Sequence, residues 1–236
     1  MRLIVSGAIR EKYPDLRFGF VVAKNVNNVT YQEGLEEFVS ETFNKFARKF
    51  DEPRDLEEYK NIMAWREIYR SFGINPKKKK PTAEAVLARA IRSNYVPRIS
   101  PAVDAYLCAE TAHYLPIGGY DMDKISGDIV LRYSSGGEEF FGVGAEAVDA
   151  TNEGEIVYSD NNRVLTRCWN YRDSDFTKID DKTTTLALFV EAPLATITDD
   201  EIKETIKQVS DNLQKYCGAQ CTETFMSSQE NEVTIL

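Results

Sequence analysis

One stretch of the chain, residues 183–191, does most to limit the possible folds. It reads TTTLALFVE and contains β-forming residues without a turn former. Because the stretch is apolar on both faces, it predicts a central strand rather than a strand with one face in water. The chain has 236 residues, of which 42% are hydrophobic and 28% charged, an ordinary globular composition. This length is enough to bury a sizeable core around such a strand.

Apolar residues at three- and four-residue spacing predict helices on both sides of this strand. The predicted helices cover about residues 35–50, 56–72, 82–93, 102–113 and 199–217. The last one begins at the sequence Thr198-Asp199-Asp200-Glu201, which has the pattern of a capping box, and ends at Gly218. These patterns predict a helix-rich N-terminal part and a C-terminal helix.

Between residues 116 and 192 the pattern changes to short strands separated by turns. Strands are predicted at residues 129–133, 139–143, 155–158 and 163–166, in addition to an early buried strand at 18–23. The turns between them are rich in Ser, Gly, Asp and Asn. No internal repeat or linker interrupts the chain. We therefore expect residues 1–236 to form a single domain of the mixed α/β (α+β) class.

Cysteine and histidine are too few for several standard kinds of site. The chain has four cysteines and a single histidine, His113, and only two of the cysteines lie close enough in sequence for a zinc site. It contains no nucleophile elbow, P-loop or complete dinucleotide fingerprint. No apolar run approaches the roughly 20 residues of a membrane helix, and the N-terminus does not read as a signal peptide. We expect a soluble, cytoplasmic protein without a metal or cofactor.

Charge is distributed unevenly along the chain. The net charge of −9 argues at first against a nucleic-acid partner. Residues 60–100, however, hold ten basic and two acidic side chains, so this window is +8 and the remainder is −17. A lysine run is often only a solvated loop, but it can equally form a patch for a polyanion. The candidate RNA-binding residues are Arg66, Lys77, Lys78, Lys79, Lys80 and Arg89.

Several short motifs together resemble one protein family. They are YPDLRFG at 13–19, WREIYRSFG at 65–73, PTAEA at 81–85, PIGGYD at 116–121, GEIVY at 154–158 and WNYR at 169–172. Their order and spacing are similar to those of the freestanding B3/B4 tRNA-binding domain proteins. These are relatives of the editing module in the β-subunit of phenylalanyl-tRNA synthetase. The resemblance covers about residues 13–191.

The resemblance implies both a fold and an activity. The expected fold has three layers, with a mixed β-sandwich core flanked by helices and a pocket between strands. The expected activity is hydrolysis of an amino acid wrongly attached to its tRNA. Glu191 matches the glutamate of the family's pocket, and Asp104 matches an aspartate that opens another pocket segment. Gly118 stands where the synthetase has histidine, and Tyr106 and Leu107 stand where it has Thr and Asn, so specificity for the phenylalanine system is not implied.

The chemistry of deacylation is compatible with these residues. An aminoacyl ester is already activated, so its hydrolysis needs a positioned water and stabilisation of an oxyanion. Gly118 and Gly119 let the backbone approach a ligand closely and offer N–H donors, although two glycines also suit a tight turn. Glu191 would bind the substrate ammonium or orient the water. Its alternative interpretation is a solvent-exposed strand end.

Further candidate residues for substrate binding follow from the same motifs. They are Asp104, Tyr120, Asp121, Trp169, Asn170 and Arg172. The segment from Trp169 to Arg172 combines a stacking surface with hydrogen-bond donors. Trp169 could also be a core residue, with Arg172 in an ion pair. Asp121 and the nearby Asp123 resemble turn-capping aspartates more than ligands of a metal.

These observations lead to one main hypothesis and two alternatives. The main hypothesis is a tRNA-binding protein that hydrolyses a mischarged aminoacyl-tRNA in trans, with no membrane or DNA partner. The first alternative is a tRNA- or RNA-binding module without catalysis, in agreement with Leu107 at the family's Asn position. The second is a pocket protein for an amino-acid-like metabolite, in which the lysines are merely solvated.

Overall fold

The computed structural model of the chain describes residues 1–93 and 98–236. Its α-helices are α1 (Gly7–Lys12), α2 (Leu35–Ala47), α3 (Lys60–Ser71), α4 (Thr82–Ser93), α5 (Pro101–His113) and α6 (Asp199–Cys217), with short 3-10 helices at Pro53–Glu58 and Met122–Lys124. Its strands are β1 (Arg2–Val5), β2 (Arg17–Lys24), β3 (Ile117–Asp121), β4 (Ile129–Ser135), β5 (Glu139–Phe140), β6 (Asp149–Ala150), β7 (Glu153–Ser159), β8 (Val164–Arg167), β9 (Arg172–Asp173), β10 (Leu186–Ala192), β11 (Gln220–Met226) and β12 (Glu232–Thr234).

The apolar stretch that limits the fold becomes β10, inside a four-stranded antiparallel sheet. The strand order is β11-β2-β10-β3, so β10 has a partner on each side. Every residue of β10 is buried. In the register, Phe189 lies opposite Phe20 of β2 and Gly118 of β3. The prediction of a central strand is therefore confirmed.

A second, six-stranded sheet packs against one face of the first. Its order is β12-β1-β4-β7-β8-β9, and it is mixed because β1 runs parallel to β4 while the other pairs are antiparallel. Leu131 and Ile156 of this sheet share one buried cluster with Phe20 and Phe189 of the four-stranded sheet. Two sheets packed through their apolar faces form a β-sandwich.

Helices cover the other face of the four-stranded sheet. Leu188 of β10 belongs to a second buried cluster, which includes Val39 of α2, Leu87 of α4, Leu107 of α5 and Ile206 of α6. Successive side chains of a strand point to opposite faces, so β10 supplies alternate residues to the two cores. The molecule thus has three layers, with a mixed β-sandwich core and flanking helices, and the expected fold class is confirmed.

Helix α6 shows how closely the layers approach. Thr198 and Glu201 form the capping box at its start, and Gly218 ends it in the left-handed conformation with φ of 62°. A Cβ atom on Gly19 of β2 would lie 2.5 Å from a methyl group of Ile206 and 2.7 Å from one of Ile202. Glycine at position 19 therefore lets α6 pack directly on the sheet.

Candidate functional site

Glu191 lies on β10, on the face that points into the sandwich. It is only 3% exposed, so the interpretation as a solvent-exposed strand end is wrong. Its Oε1 accepts hydrogen bonds from the Tyr158 hydroxyl and from Trp169 Nε1 at 3.0 Å. Its Oε2 accepts one from Asn170 Nδ2 at 2.9 Å. A carboxylate has about four acceptor positions, so one position on Oε2 is left for a water molecule or a substrate.

The environment of Glu191 moves its ionisation close to neutral pH. Burial raises the pKa of this carboxyl group to about 7, because desolvation disfavours the charged form. The hydrogen bonds from Tyr158, Asn170 and Trp169 oppose this effect by lowering the pKa, and the nearby Asp173 adds to it. A carboxyl group with a pKa near 7 is suited to accept and release a proton at physiological pH.

Asp173 is a second carboxyl group at the site, and no motif of the sequence predicts it. Its Oδ1 accepts a hydrogen bond from Thr166 Oγ1 at 2.7 Å. The Tyr120 hydroxyl lies 2.6 Å from the same Thr166 oxygen. Since Thr166 uses its single hydroxyl proton on Asp173, Tyr120 donates to Thr166. Burial also raises the pKa of Asp173, to about 6. In the sequence, the only indication that Asp173 belongs to the site is its position directly after the WNYR motif.

Both carboxyl groups line one small cavity between the two sheets. The lining residues are Gly118, Gly119, Tyr120, Tyr158, Thr166, Trp169, Asn170, Asp173, Phe189 and Glu191. Six of the nine residues predicted for catalysis or substrate binding are among them. The cavity measures about 20 Å³, which is room for about one water molecule. The structure therefore gathers most of the predicted site at one place.

Gly118 and Gly119 lie within the edge strand β3, so the interpretation of this pair as a tight turn is wrong. A Cβ atom on Gly118 would meet nothing within 4 Å, and this residue faces the cavity on the same side of the strand as Tyr120. A Cβ atom on Gly119 would collide with the carbonyl oxygen of Ala187 and with Leu188. The two glycines therefore serve different purposes, open space at 118 and close strand packing at 119.

The backbone of β3 directs one N–H group, that of the cavity-lining Gly119, away from β10. The N–H of Ile117 donates to Glu110 Oε2 at 2.7 Å, and that of Asp121 donates to the Thr177 carbonyl at 3.1 Å, so neither donates to β10. Successive N–H groups of a strand alternate between its two edges. The N–H of Gly119 therefore points off the same edge, where it can stabilise a developing oxyanion.

The turn between β8 and β9 positions two of the groups that bind Glu191. Cys168 and Trp169 have φ angles of 48° and 66°, a left-handed conformation that is costly for residues other than glycine. Hydrogen bonds from the Cys168 N–H to Glu155 at 3.1 Å and from the Trp169 N–H to Ile156 at 2.8 Å hold it. The Tyr69 hydroxyl donates to Asn170 Oδ1 at 2.7 Å, which turns the Asn170 amide nitrogen towards Glu191.

The interior position of Trp169 agrees with the second interpretation considered for it, a core residue. It is fully buried and makes edge contacts with Trp65, at 5.4 Å between ring centroids, and with Tyr13, at 4.9 Å. It is therefore a core residue, while its indole N–H also reaches Glu191. Arg172 does not form the ion pair considered as an alternative for it within the described residues, and its Nη2 donates to the Val143 carbonyl at 2.8 Å.

Two other predicted substrate-binding residues lie away from the cavity. Asp104 accepts hydrogen bonds from the Tyr31 hydroxyl at 2.8 Å and from the Ile99 N–H at 3.1 Å. Asp121 accepts from Thr183 at 2.8 Å and caps the 3-10 helix at Met122–Lys124 through the Asp123 N–H. Both aspartates are buried, and their contacts stabilise local structure.

A basic surface lies on the helical side of the molecule. It consists of Arg54, Lys77, Lys78, Lys80, Arg89 and Arg92, which line two adjoining shallow clefts. Arg54 and Arg92 were not among the candidate RNA-binding residues. Arg54 lies outside the basic window of the sequence, and the fold brings it next to Lys77 and Lys80.

Arg66 does not belong to this surface, contrary to the expectation from the sequence. Its side chain is 3% exposed and forms ion pairs with Glu84 at 2.8 Å and with Glu57 at 3.2 Å. Lys80 also pairs with the buried Glu84. A buried, paired guanidinium is not available to a phosphate group, so we leave Arg66 out of the RNA-binding residues.

Lys79 points from the lysine segment towards the turn between β8 and β9. Its Nζ lies 3.4 Å from Cys168 Sγ and 5.4 Å from the centroid of the Tyr171 ring. Next to it, the Thr82 hydroxyl donates to the carbonyl of Asn170. The segment that carries the lysines is therefore in direct contact with the turn that positions Trp169 and Asn170.

Metal sites and membrane-spanning helices were considered for the same described residues. Across residues 1–93 and 98–236, no group of three His, Cys, Asp or Glu side chains is arranged to hold a metal ion. A helix with the length and apolar character of a membrane span is likewise not found in these ranges.

Comparison with known proteins places the chain in a family. A solved N-terminal fragment of the phenylalanyl-tRNA synthetase β-subunit from Pyrococcus horikoshii is similar in structure, with a TM-score of 0.48 and 11% sequence identity. The similarity covers 94% of this chain and 53% of that fragment, so the chain spans about half of its length. No curated protein matches. The family model for the B3/4 domain matches residues 64–225, and the chain therefore belongs to the B3/4 domain family.

Proposed function

We propose that this protein binds tRNA and hydrolyses a mischarged aminoacyl-tRNA in trans. The observation that carries this proposal is the cavity lined by Glu191 and Asp173, with pKa values of about 7 and 6, together with the backbone of Gly119. The contacts of Lys79 and Thr82 with the β8–β9 turn connect this cavity to a basic surface. Membership of the B3/4 domain family supports tRNA as the partner. We expect the reaction to take place in the cytoplasm.

The groups in the cavity can carry out ester hydrolysis without a nucleophilic side chain. Ionised Glu191 accepts a proton from a water molecule through the remaining position on Oε2, while the water oxygen attacks the ester carbonyl carbon. The Gly119 N–H donates to the resulting oxyanion. When the tetrahedral intermediate collapses, the bond between the carbonyl carbon and the ribose oxygen breaks. Glu191 then returns the proton to the ribose oxygen.

The cavity must widen before it can accept an aminoacyl group. About 20 Å³ holds a water molecule but not an amino-acid side chain. The open space at Gly118, where a Cβ atom would meet nothing within 4 Å, lies beside the free edge of β3. We expect the substrate to enter at this edge, because no strand of residues 1–93 or 98–236 pairs with β3 there.

The direct test is a panel of aminoacyl-tRNAs, each incubated with the protein. We expect at least one ester to be lost at least about tenfold faster than in buffer alone, a modest part of what positioned groups and an oxyanion donor can supply. The measurement is the amount of amino acid that remains attached to tRNA over time. Free amino-acid esters serve as the control for cleavage that does not depend on tRNA. Loss of every aminoacyl-tRNA at the buffer rate would refute hydrolysis.

A non-catalytic tRNA-binding function is the second candidate, and two observations favour it. The cavity is small, and Leu107 is buried in the helical layer, so the family's Asn position offers no polar group here. This candidate predicts salt-sensitive tRNA binding without turnover in the same panel.

The basic surface provides a separate prediction about tRNA binding. Replacing Lys77, Lys78 and Arg89 by serine should weaken tRNA binding and make its dependence on salt less steep by about three units in log K against log[salt], since each lost phosphate contact contributes roughly one unit. The measurement is tRNA affinity between about 50 and 200 mM salt. Lys80 is left in place because it pairs with buried Glu84.

A matched control removes the same charge elsewhere on the molecule. Lys24, Lys45 and Lys49 are exposed and lie outside the basic surface, and their replacement by serine should change the salt dependence much less. Equal affinity of the wild type and the basic-surface variant would favour the metabolite pocket over a tRNA-binding protein.

A further inference from the structure

A second, larger cavity lies beside the same turn, and neither the family match nor the proposed reaction assigns it a ligand. We call it the turn cleft. It measures about 280 Å³, and its lining includes Lys79, Phe140, Gly142, Arg167, Tyr171 and Arg172. Tyr171 and Arg172 lie on the β8–β9 segment that also contributes Trp169, Asn170 and Asp173 to the Glu191 cavity. The two cavities therefore share one structural element.

The turn cleft contains a partly exposed aromatic residue and two cations in one lining. Tyr171 is 37% exposed, and Lys79 Nζ lies 5.4 Å from the centroid of its ring. Among the described residues, neither Lys79 nor Arg172 forms an ion pair with a carboxylate. Arg172 uses only Nη2, on the Val143 carbonyl, and lies against Gly142, where a Cβ atom would be 2.7 Å from Arg172 Nε. Donors on both side chains thus remain available.

The third cation of the cleft has a different role. Arg167 is buried and pairs through two nitrogens with Glu155, at 2.7 and 2.8 Å, and through a third with Asp149 at 2.6 Å. Its charge is therefore more than offset by two carboxylates, of which the exposed Asp149 also lines the cleft. The cations available to a ligand are Lys79 and Arg172, which line the cleft together with Tyr171.

We propose that the turn cleft binds an unpaired nucleotide, with the base stacked on Tyr171 and the phosphate held by Lys79 and Arg172. Aromatic rings and cations together are the usual means of holding single-stranded nucleic acid. The volume of about 280 Å³ is close to the lower end of small-molecule sites. The aromatic residue, the two cations and the volume together fit a ligand that consists of a planar base joined to a phosphate.

Such a nucleotide has two possible sources, the 3′ end of an RNA or a free nucleotide. We assign it to the RNA end, and this assignment rests on the proposed function. The aminoacyl ester of tRNA is carried by its 3′-terminal ribose. The turn cleft shares the β8–β9 segment with the cavity of Glu191, and Lys79 in its lining is the sequence neighbour of Lys78 and Lys80 of the basic surface. A nucleotide in the cleft would therefore be close to both.

The test compares binding of the trinucleotide CpCpA, adenosine 5′-monophosphate and inorganic phosphate to the full chain, measured by calorimetry or NMR titration. Tyr171→Ala should weaken CpCpA binding at least about fivefold, the lower limit for loss of one base stack, while Tyr171→Phe should retain it. Lys79→Ser should also weaken binding, whereas Lys45→Ser, at an exposed position outside both the cleft and the basic surface, should not.

The outcomes separate this proposal from the hydrolytic one. Binding of CpCpA to Tyr171→Ala with wild-type affinity would overturn the nucleotide site, even if the panel shows deacylation. Tyr171-dependent CpCpA binding without any deacylation would support the site and refute hydrolysis. Tighter binding of adenosine monophosphate than of CpCpA would overturn the assignment to an RNA end. Near-ultraviolet circular dichroism of each variant confirms that the fold is retained.

Discussion

Glu191→Gln is expected to lower the rate of aminoacyl-tRNA hydrolysis by about 100-fold or more, the usual contribution of a general base. Glutamine keeps the size of the side chain but cannot accept the proton from water. It also presents an amide N–H₂ group to the donors of Tyr158, Trp169 and Asn170, so the variant must be compared with the wild type in thermal stability. The measurement is the single-turnover rate on the most reactive substrate of the panel.

The pH dependence of the same rate tests the role of Glu191 more specifically. Burial raises the pKa of its carboxyl group to about 7, and the ionised form is the active base. The rate above the buffer background should therefore rise with pH and level off above about 7. In Tyr158→Phe, the loss of a hydrogen bond that lowers the pKa of Glu191 should move this inflection to higher pH. The rate should then fall more at pH 6 than at pH 9.

A matched control for these variants is the same substitution at another buried glutamate. Glu110 is fully buried, and its described hydrogen bond is to the Ile117 N–H. Glu110→Gln should leave the rate near that of the wild type. A rate for Glu191→Gln equal to that of Glu110→Gln would remove Glu191 from the catalytic residues.

Stability towards unfolding is expected to decrease as the pH rises from about 5 to 8. Burial raises the pKa of Glu110 to about 8 and that of Glu191 to about 7, both from an ordinary value of 4.5. The folded protein therefore holds protons that the unfolded chain has already released in this pH range, so folding becomes less favourable as the pH rises. Above the folded-state pKa values both carboxyl groups are ionised in the folded protein as well, and the loss of stability that they cause is complete. For Glu110 alone we expect a loss on the order of 3 kcal/mol.

The corresponding experiment is urea unfolding of the wild type and Glu110→Gln at pH 5.5, 7 and 8.5. The variant has no ionisable group at this position, so its free energy of unfolding should depend less on pH, and it should exceed that of the wild type at pH 8.5. Replacement of the exposed Glu204 by Gln is the control for a general effect of removing one charge. Parallel pH curves for the wild type and Glu110→Gln would contradict the prediction.

Elements with a strong local pattern could be predicted from the sequence, and elements that depend on distant partners could not. The apolar stretch of β10 and the capping box of α6 carry their signal in adjacent residues. Strand β1, at the N-terminal end, instead lies between β12 from the C-terminal end and β4 from the middle of the chain. β11 is mostly polar and gains its stability from pairing with β2. Pairing over such distances leaves little trace in a local pattern.

The candidate site shows the same division. Glu191, Gly118 and Asn170 were found through motifs, and the fold brings them together. Asp173 was missed because its importance comes from burial beside Thr166, which no local pattern reveals. Arg66 was misplaced because a count of charges along the chain does not show that Glu84 pairs with it inside the protein.

The alternation of side chains along β10 has a mechanical consequence. Phe189 and Glu191 point into the sandwich, while Leu188 and Val190 pack against the helical layer that includes α4. The helix that carries Arg89 and the carboxyl group proposed to act on the ester are thus fixed to opposite faces of one buried strand. Close-packed interiors deform little. In the proposed reaction, the spacing between phosphates bound at Arg89 and the ester at Glu191 is therefore set by packing on the two faces of β10.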